Sequence, residues 1–237
     1  MEILFVVVTL IVIYGGIWLY EKKRTGDLRE TAKKLGFEFS ESPPHDFNFS
    51  LDFFHLFSLG RSGTVKNVFY NASVMPGSYI FGYKYTTGSG RHRTNHTQTV
   101  ISFSDEKYVF PIFDLRPENF LHKIGQFFGF QDINFDSNSA FSSKYLLESP
   151  VEDKVRAFFT PGLLDFLEKR KGVCVETRGS VMIIYIADDR VRPDDMSKFI
   201  KDSEQIYKRF CAQLSKDVAG ADENNSGNLD DARKTPL

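Results

Sequence analysis

The hydrophobic pattern is strongest at the N-terminus, where residues 3–20 read ILFVVVTLIVIYGGIWLY without a charged side chain. About 20 apolar residues in a helix cross the hydrocarbon core of a bilayer. In lipid, a helix satisfies its backbone polar groups within its own segment. The pattern therefore predicts one transmembrane helix over residues 3–20, with residues 1–24 as anchor and basic flank. The lipid bilayer is the expected partner of residues 3–20.

The charges that flank this span predict its orientation. Lys22, Lys23 and Arg24 follow it directly, whereas the N-terminal flank carries only Glu2 and the terminal amine. Because cations accumulate on the cytoplasmic side of membrane spans, we expect a single-pass protein of the cell membrane with its soluble domain in the cytoplasm. A cleaved signal peptide, a reversed topology and a buried helix of a soluble core are the alternatives. A signal peptide would need a basic n-region and a small-residue cleavage site, which the sequence does not clearly offer.

Residues 25–216 mix helical and strand periodicity, which predicts a soluble α+β domain: an antiparallel sheet with covering helices. Leu28 and Ala32 lie at helical spacing near its start, and Gly36 is expected to end that first helix. The sequence leaves open whether this domain has an internal sub-boundary near residues 130–140. The segment 217–237 has few large apolar residues, so we expect it to be a disordered tail.

The strand signals are concentrated between residues 64 and 113. Alternation of apolar and polar residues predicts four antiparallel strands in a meander. Their expected ranges are 64–74, 78–87, 98–103 and 107–113. A helix over 117–128, with Pro117 at its first position and Gly129 as its stop, is expected to cover this sheet.

The second half continues the mixture of strands and helices. A short strand is expected over 141–147, followed by a helix that begins with a capping box of Ser149 and Glu152. Thr160 and Pro161 are expected to begin another helix.

A hairpin and a long helix are predicted near the C-terminus. The hairpin has strands at 173–178 and 181–187, and the second strand is apolar on both faces, which indicates a central position in the sheet. The last helix is expected to begin at Pro193 and to carry an apolar stripe. The stripe consists of Met196, Phe199, Ile200, Ser203, Ile206, Tyr207, Phe210 and Leu214.

Three passages carry a resemblance to a known family. They read YKYTTGSG at 83–90, FPIFDLRPENF at 110–120 and FSSKYLLESPVEDKVRAFFTPGLLDFLEKR at 141–170. Over about half of its length the chain resembles an uncharacterised family of bacterial membrane-anchored proteins of unknown function. The resemblance implies a membrane anchor, a cytoplasmic domain and bacterial origin. It implies no activity, cofactor or site residue.

Composition narrows the classes of partner. The net charge of −1 lacks the strongly basic balance of a nucleic-acid-binding protein, so no nucleic acid is expected. Cys174 and Cys211 are too few for a disulfide framework, which fits a reducing compartment. Neither cysteine has a histidine or cysteine at metal-ligand spacing.

The densest polar cluster is Arg91, His92, Arg93, Asn95 and His96, in the turn between the second and third predicted strands. The two histidines would bind a metal only if the loop converged them, and no carboxylate or cysteine is close in sequence. We therefore expect a solvated, mobile basic loop over residues 87–97. In a tethered domain, such a loop is positioned to meet anionic headgroups.

Two other groups of polar residues are candidates for chemistry. Asp114, Arg116 and Glu118 are expected to flank the start of the 117–128 helix, where carboxylates interact favourably with the helix dipole. The scattered histidines, His45, His55 and His122, are expected at the edge of the core. No sequence motif indicates a catalytic, cofactor-binding or metal-binding residue.

Two functional hypotheses follow. The sequence favours a non-catalytic interaction or scaffold module, tethered to the cytoplasmic membrane face and contacting a protein partner there. The alternative is a membrane-bound enzyme or small-ligand sensor with a pocket between the sheet and helix 117–128. Asp114, Arg116 or Glu118 would then lie at the mouth of that pocket.

Overall fold

A computed structural model of the chain describes residues 1–45, 47, 51–71, 73–75, 77–118 and 131–231; at residue 51 and over 216–231 it describes the backbone alone. A long apolar N-terminal helix precedes an eight-stranded antiparallel sheet, and further helices follow towards the C-terminus. The predicted α+β fold class is therefore confirmed.

The first helix, α1 (Glu2–Lys34), combines two environments in one unbroken element. Its N-terminal part is long and apolar enough to cross a membrane, and none of that apolar stretch is buried within the structure. Its C-terminal part buries Leu28 and Ala32 in the core. Gly36, with φ +82°, follows the helix end, as the sequence predicts, because glycine adopts this conformation without a Cβ clash.

The eight strands form one sheet in the order β1-β2-β3-β4-β8-β7-β5-β6, and every neighbouring pair is antiparallel. Their bounds are β1 Glu38–Ser40, β2 Arg61–Tyr70, β3 Tyr79–Thr87, β4 Thr94–Ser104, β5 Phe110–Pro117, β6 Tyr145–Glu148, β7 Val173–Gly179 and β8 Val181–Ile186. Strands from before and after residues 130–140 share this sheet, so the sub-boundary left open there does not separate two sheets.

The predicted four-strand meander is wrong at its last step. Strands β2, β3 and β4 are consecutive neighbours, but β5 pairs with β6 and β7 rather than with β4. The β7–β8 hairpin lies between them, with β8 paired to β4. Because β8 is apolar on both faces, it is most stable inside the sheet, where both faces are covered.

The short helices correct several local predictions. The structure has α2 (His55–Ser58), α3 (Ser139–Ser142), α4 (Glu152–Phe158) and α5 (Pro161–Glu168). The strand expected over 141–147 is therefore shorter, because Phe141 belongs to α3. Val151, not Ser149, is the N-cap of α4; the Ser149 hydroxyl accepts from Val151 N at 2.9 Å and donates to Ile112 O at 2.7 Å. Pro161 begins α5 as predicted.

The helix predicted over 117–128 lies outside the described residues except at its start. Pro117 is the last residue of β5 and pairs with Tyr145, so it does not occupy a first helical position. Proline lacks a backbone N–H to donate, which suits the end of a strand as well as the start of a helix.

The last helix, α6 (Met196–Asp231), follows a 3-10 turn at Pro193–Asp195. The predicted stripe is confirmed, since Met196, Ile200 and Phe210 are buried in the core. Its backbone continues to Asp231, into the segment 217–237 for which the sequence predicts a disordered tail.

The sheet has a different core on each face. Helices α1, α4, α5 and α6 cover one face, where aromatic rings meet: Phe113 lies 5.1 Å from Phe159 and 5.5 Å from Phe210, between ring centroids. The segment 51–59 covers the other face with Phe54 and Leu56. Because successive side chains of a strand point to opposite faces, the strands contribute residues to both cores.

Leu28→Ala should show that α1 is part of the domain core. The substitution removes a buried side chain, so we expect the free energy of unfolding to fall by about 2–4 kcal/mol. Denaturant unfolding of the full chain in detergent micelles measures this. Glu30→Ala, on an exposed position of the same helix, is the control and should change stability by less than about 0.5 kcal/mol. Equal stability of both variants would contradict the packing of α1 against the sheet.

Candidate functional site

A groove runs between α1 and the sheet, on the face that α1 covers, and has a volume of about 1150 Å³. We call it the α1 groove. One side of α1 forms its wall, and polar residues of β2, β3 and β4 form its floor. The lining residues on α1 are Ile17, Trp18, Glu21, Lys22, Thr25, Gly26 and Arg29.

The floor of the α1 groove is built by strand register. Lys84 of β3 lies opposite Thr64 of β2 and Thr97 of β4. The next pair on this face, nearer the β3–β4 turn, is Thr86 and Asn95. The Thr86 hydroxyl donates to the Asn95 amide oxygen at 2.9 Å. These residues share one face because side chains alternate along a strand.

Two ion pairs join α1 to the domain along the groove. Glu21 binds Arg190 through two bonds of 2.7 Å, one to each carboxylate oxygen. The bond from Arg190 holds the pKa of Glu21 below its usual range, and burial opposes this shift. Farther along α1, Arg29 pairs with Glu41, which precedes β2.

Arg24 provides a further attachment of α1. It is buried and donates to the backbone oxygen of Val191 at 2.8 Å. The Val191 amide in turn donates to the Thr99 hydroxyl of β4 at 3.0 Å. The boundary predicted between anchor and domain at residues 24 and 25 thus falls inside a helix that is fixed on both sides of it.

The charges around the groove are unevenly distributed. Its lining holds seven cationic and two acidic side chains, a net charge of +5, while the whole chain has a net charge of −1. The cations are Lys22, Arg29, Arg61, Lys66, Lys84, Arg93 and Arg190. A basic surface of this kind attracts anions.

The predicted basic loop only partly matches the structure. Arg91, His92 and Arg93 are exposed, as expected, and Arg93 lines the α1 groove. His96 is buried inside β4, so the expectation that it belongs to a solvated loop is wrong. Its Nδ1 lies 2.8 Å from Asp188 Oδ1. Asp188 comes 92 residues later in the chain, so no local pattern around His96 indicates this partner.

The His96 ring has defined partners on every side. Its Nε2 lies 2.8 Å from the Thr87 hydroxyl, and the ring stacks on Tyr85 at 4.7 Å between centroids. Gly88, with φ +70°, turns the chain between the strands; a Cβ there would lie 2.1 Å from His92 O. His96 therefore contributes to the packing of the β3–β4 turn.

A second polar group lies on the opposite face of the sheet, beneath the segment 51–58. We call it the buried polar cluster: His55, Arg116, Glu148, Glu176 and Tyr185. Arg116 pairs with Glu148 and is 2% exposed. Tyr185 donates its hydroxyl to Glu176 at 2.8 Å.

The buried polar cluster and the neighbouring Arg178 hold the covering segment in place. The Leu56 amide donates to a carboxyl oxygen of Glu176 at 3.2 Å, and Arg178 donates to Phe53 O at 2.8 Å. Arg116 Nη1 lies 3.1 Å from Nδ1 of His55. Since arginine has no acceptor, Nδ1 of His55 accepts this bond and the ring hydrogen is on Nε2.

Burial controls protonation in this cluster. Burial and the neighbouring positive charge of Arg116 lower the pKa of His55 to about 2, which keeps its imidazole neutral. Burial, with the nearby charge of Asp114, raises the pKa of Glu176 to about 8. Burial also raises the pKa of Glu148, although Arg116 opposes the shift. Buried carboxyl groups of this kind release their protons at higher pH than carboxyl groups in water do.

Asp114, Arg116 and Glu118, which the sequence expects to flank a helix start, lie in the second half of β5 and directly after it. Asp114 and Arg116 belong to β5 and face the buried polar cluster, where Asp114 pairs with Arg178 at 2.8 Å. Glu118 is exposed, and its amide donates to Lys144 O at 2.8 Å. The three residues do not form one site, because Asp114 and Arg116 are covered by the segment 51–58.

The two cysteines contribute to the packed core. Cys174 and Cys211 are both buried and unbridged, and burial raises the pKa of each thiol. His45 is exposed, unlike the core-edge position expected, and His122 lies outside the described residues. Over the described residues, the structure contains no group of three His, Cys, Asp or Glu side chains suited to a metal ion.

Comparison with known proteins identifies a shared fold. No family model matches the chain, and no curated protein matches it. The crystal structure of the mycobacterial trehalose monomycolate transport factor A, TtfA, is similar, with a TM-score of 0.56 at 13% sequence identity. The match covers 80% of this chain and 95% of that chain. At this identity the likeness shows the fold alone.

Glu176→Gln should change how stability depends on pH. In wild type, the folded-state pKa of Glu176 is about 8 against an ordinary value of 4.5, so the folded protein holds a proton that the unfolded chain releases. This contribution is complete below about pH 4.5 and is lost as pH rises through 8. We expect the stability of wild type relative to Glu176→Gln to fall by a few kcal/mol, in order of magnitude, between pH 5 and 9.

Urea unfolding of both proteins at several pH values measures this difference. The glutamine amide oxygen still accepts from Tyr185 and Leu56, and both proteins retain His55, whose lowered pKa affects stability mainly below pH 6.5. The His55 contribution therefore cancels in the comparison. Parallel pH profiles would contradict a protonated Glu176 in the folded protein.

Proposed function

We propose that the chain is a single-pass, membrane-tethered interaction module whose α+β domain works at the cytoplasmic membrane face without catalysing a reaction. The observation that carries this proposal is the continuity of α1. One helix supplies both the candidate span and the buried residues Leu28 and Ala32. The candidate span and the core are therefore parts of one rigid element.

A rigid junction differs in function from a flexible linker. A flexible linker raises the local concentration of a domain near the membrane but leaves its orientation free. Here the Glu21–Arg190 pair and the Arg24–Val191 bond attach the helix to the domain immediately after the apolar stretch. These contacts support a domain that presents the same surface to the membrane at all times.

The charges after the span support a cytoplasmic domain. Lys22 and Lys23 are exposed and lie next to the apolar stretch, and cations at this position favour the cytoplasmic side. Arg24 has a structural partner in Val191 in addition to any effect on topology.

The fold neighbour suggests a setting for this module. TtfA is described as a transport factor, and an accessory role in a membrane transport process is consistent with a tethered, non-catalytic domain. This step is analogy between folds, so we extend neither the cargo nor the partners of TtfA to this chain.

The alternative hypothesis, an enzyme or small-ligand sensor, requires a pocket between the sheet and helix 117–128. That helix lies outside the described residues from 119 onwards. Of the three residues expected at the mouth of the pocket, Asp114 and Arg116 are buried and Glu118 is exposed. We favour the interaction module because it rests on α1, which the structure describes, whereas the alternative depends on a helix outside the described residues.

Topology is tested by fusing reporters after residue 216. A reporter that works only in the cytoplasm should be active, and one that works only after export should be silent. Replacing Lys22 and Lys23 with glutamine should weaken this bias, because fewer cations then oppose translocation. Arg24 is kept so that the fold is preserved. Activity of the exported reporter alone would overturn the cytoplasmic assignment.

The interaction role is tested by separating tethering from orientation. Inserting a flexible linker of about 15 Gly and Ser residues between Tyr20 and Glu21 keeps the anchor but frees the domain. A photoreactive residue at exposed position Lys33 reports contacts in membranes. A defined cross-linked partner should be present in the parent chain and reduced several-fold by the insertion.

The matched control inserts the same linker after residue 216, which leaves the α1 junction unchanged. This control should cross-link like the parent chain. Loss of the product in both insertions, or in neither, would contradict a function that depends on the rigid junction. Absence of any specific product in the parent chain would remove the support for an interaction module.

A further inference from the structure

The face of the sheet beneath α1 changes character along the strands. Near the C-terminal half of α1, the sheet contributes apolar residues such as Ile80 and Ile101, both 1% exposed or less. Closer to the candidate span, the same face of β3 continues with Lys84 and Thr86. A sheet face that is apolar where it is covered and cationic where a groove opens is consistent with a ligand-binding role for the groove.

Some of the cations that line the α1 groove have no acidic partner among the described residues. Arg29 and Arg190 are paired with acids, but Arg61, Lys66 and Lys84 form no ion pair with any residue that the structure describes. The positive charge of Lys66 also reaches Glu21 on α1, where it contributes, after Arg190 and Arg24, to the lowered pKa of Glu21. Unpaired cations that face one groove repel each other, and a bound anion would relieve this repulsion.

The end of the groove nearest the span is amphipathic. Ile17 and Trp18 belong to the lining, and the Lys22 ammonium lies 4.8 Å from the centre of the Trp18 ring. Tryptophan prefers the headgroup level of a bilayer. A ligand that enters from this end would meet apolar side chains first and the cationic floor beyond them.

We propose that the α1 groove binds the phosphate-bearing headgroup of an anionic membrane lipid. Lys66 and Lys84 would contact the phosphate, and Ile17 and Trp18 would lie beside the glycerol and upper acyl region. This inference deepens the proposed function and depends on its membrane-held domain. The volume of about 1150 Å³ exceeds what a single phosphate needs and accommodates a complete headgroup.

Two features favour a lipid over a free phosphate compound. The apolar residues at one end match an amphiphile, whereas a small hydrophilic anion would gain nothing from them. The groove also lies beside the candidate span, so a lipid headgroup would be present at high local concentration. The chemistry shared by both sources is the phosphate group, which lysine binds through charge.

The test uses the full chain in detergent micelles and measures retained lipid by native mass spectrometry. The probes are dioleoyl phosphatidylglycerol, which is anionic, and dioleoyl phosphatidylcholine, which has no net charge. Wild type should retain the anionic lipid preferentially. The double variant Lys66→Gln, Lys84→Gln should reduce its affinity for phosphatidylglycerol roughly 30-fold, since each basic residue near a surface contributes to anionic-lipid binding.

Two further variants separate charge loss from misfolding and from general surface charge. Lys66→Arg with Lys84→Arg keeps both charges and should retain the anionic lipid. Lys169→Gln with Lys171→Gln removes two exposed cations outside the groove and should bind like wild type. An equal loss in this control would show that binding follows overall charge and would overturn the site. Loss in the arginine variant would overturn the role of the two charges.

Glycerol 3-phosphate, added as a competitor, distinguishes a lipid headgroup from a soluble phosphate compound. Because the lipid gains additional contacts with Ile17 and Trp18, millimolar competitor should displace little phosphatidylglycerol. Complete displacement at that concentration would overturn the lipid assignment in favour of a soluble phosphate compound. If wild type shows no preference for the anionic lipid, the headgroup proposal fails, while the linker-insertion experiment still tests the interaction module independently.

Discussion

The continuity of α1 constrains the rest of the structure. A helix that crosses a bilayer must be apolar on all sides, whereas a helix on a sheet needs one apolar face. This chain meets both requirements in sequence, since the stretch up to Tyr20 is exposed and apolar all round, and Leu28 and Ala32 occupy one face. Because no loop separates the two parts, the orientation of the domain follows from that of the helix.

The two faces of the sheet are stabilised in different ways. The helix-covered face relies on close packing of aromatic and aliphatic side chains. The other face also buries Arg116, Glu148 and Glu176, which cost solvation energy that their partners only partly return. A purely apolar cover would not require one particular alignment of the segment 51–58. The bonds to the Leu56 amide, Phe53 O and His55 select that alignment, so we interpret the cluster as a determinant of specificity.

Local periodicity explains what the sequence could predict. The candidate span, the helix at Pro161, the β7–β8 hairpin and the stripe of α6 all depend on neighbouring residues, and the structure contains each of these helices and strands. Strand order depends on distant residues: β5 pairs with β7 more than 50 residues later. The polar partners are similarly remote. Asp114, for example, meets Arg178, and no local pattern at Asp114 indicates this.

The α1 groove shows why composition alone did not reveal a candidate site. A net charge of −1 excludes a chain that is basic throughout, but it does not describe how charges are arranged. Arg61, Lys66, Lys84 and Arg190 are spread over much of the sequence, and each reads there as an ordinary surface cation. Antiparallel register brings Arg61, Lys66 and Lys84 onto one sheet face, where they remain exposed, and α1 forms the wall of the groove beside them. The helix that carries the candidate span therefore also forms the wall of a strongly cationic groove, which connects membrane attachment to the chemistry proposed for the site.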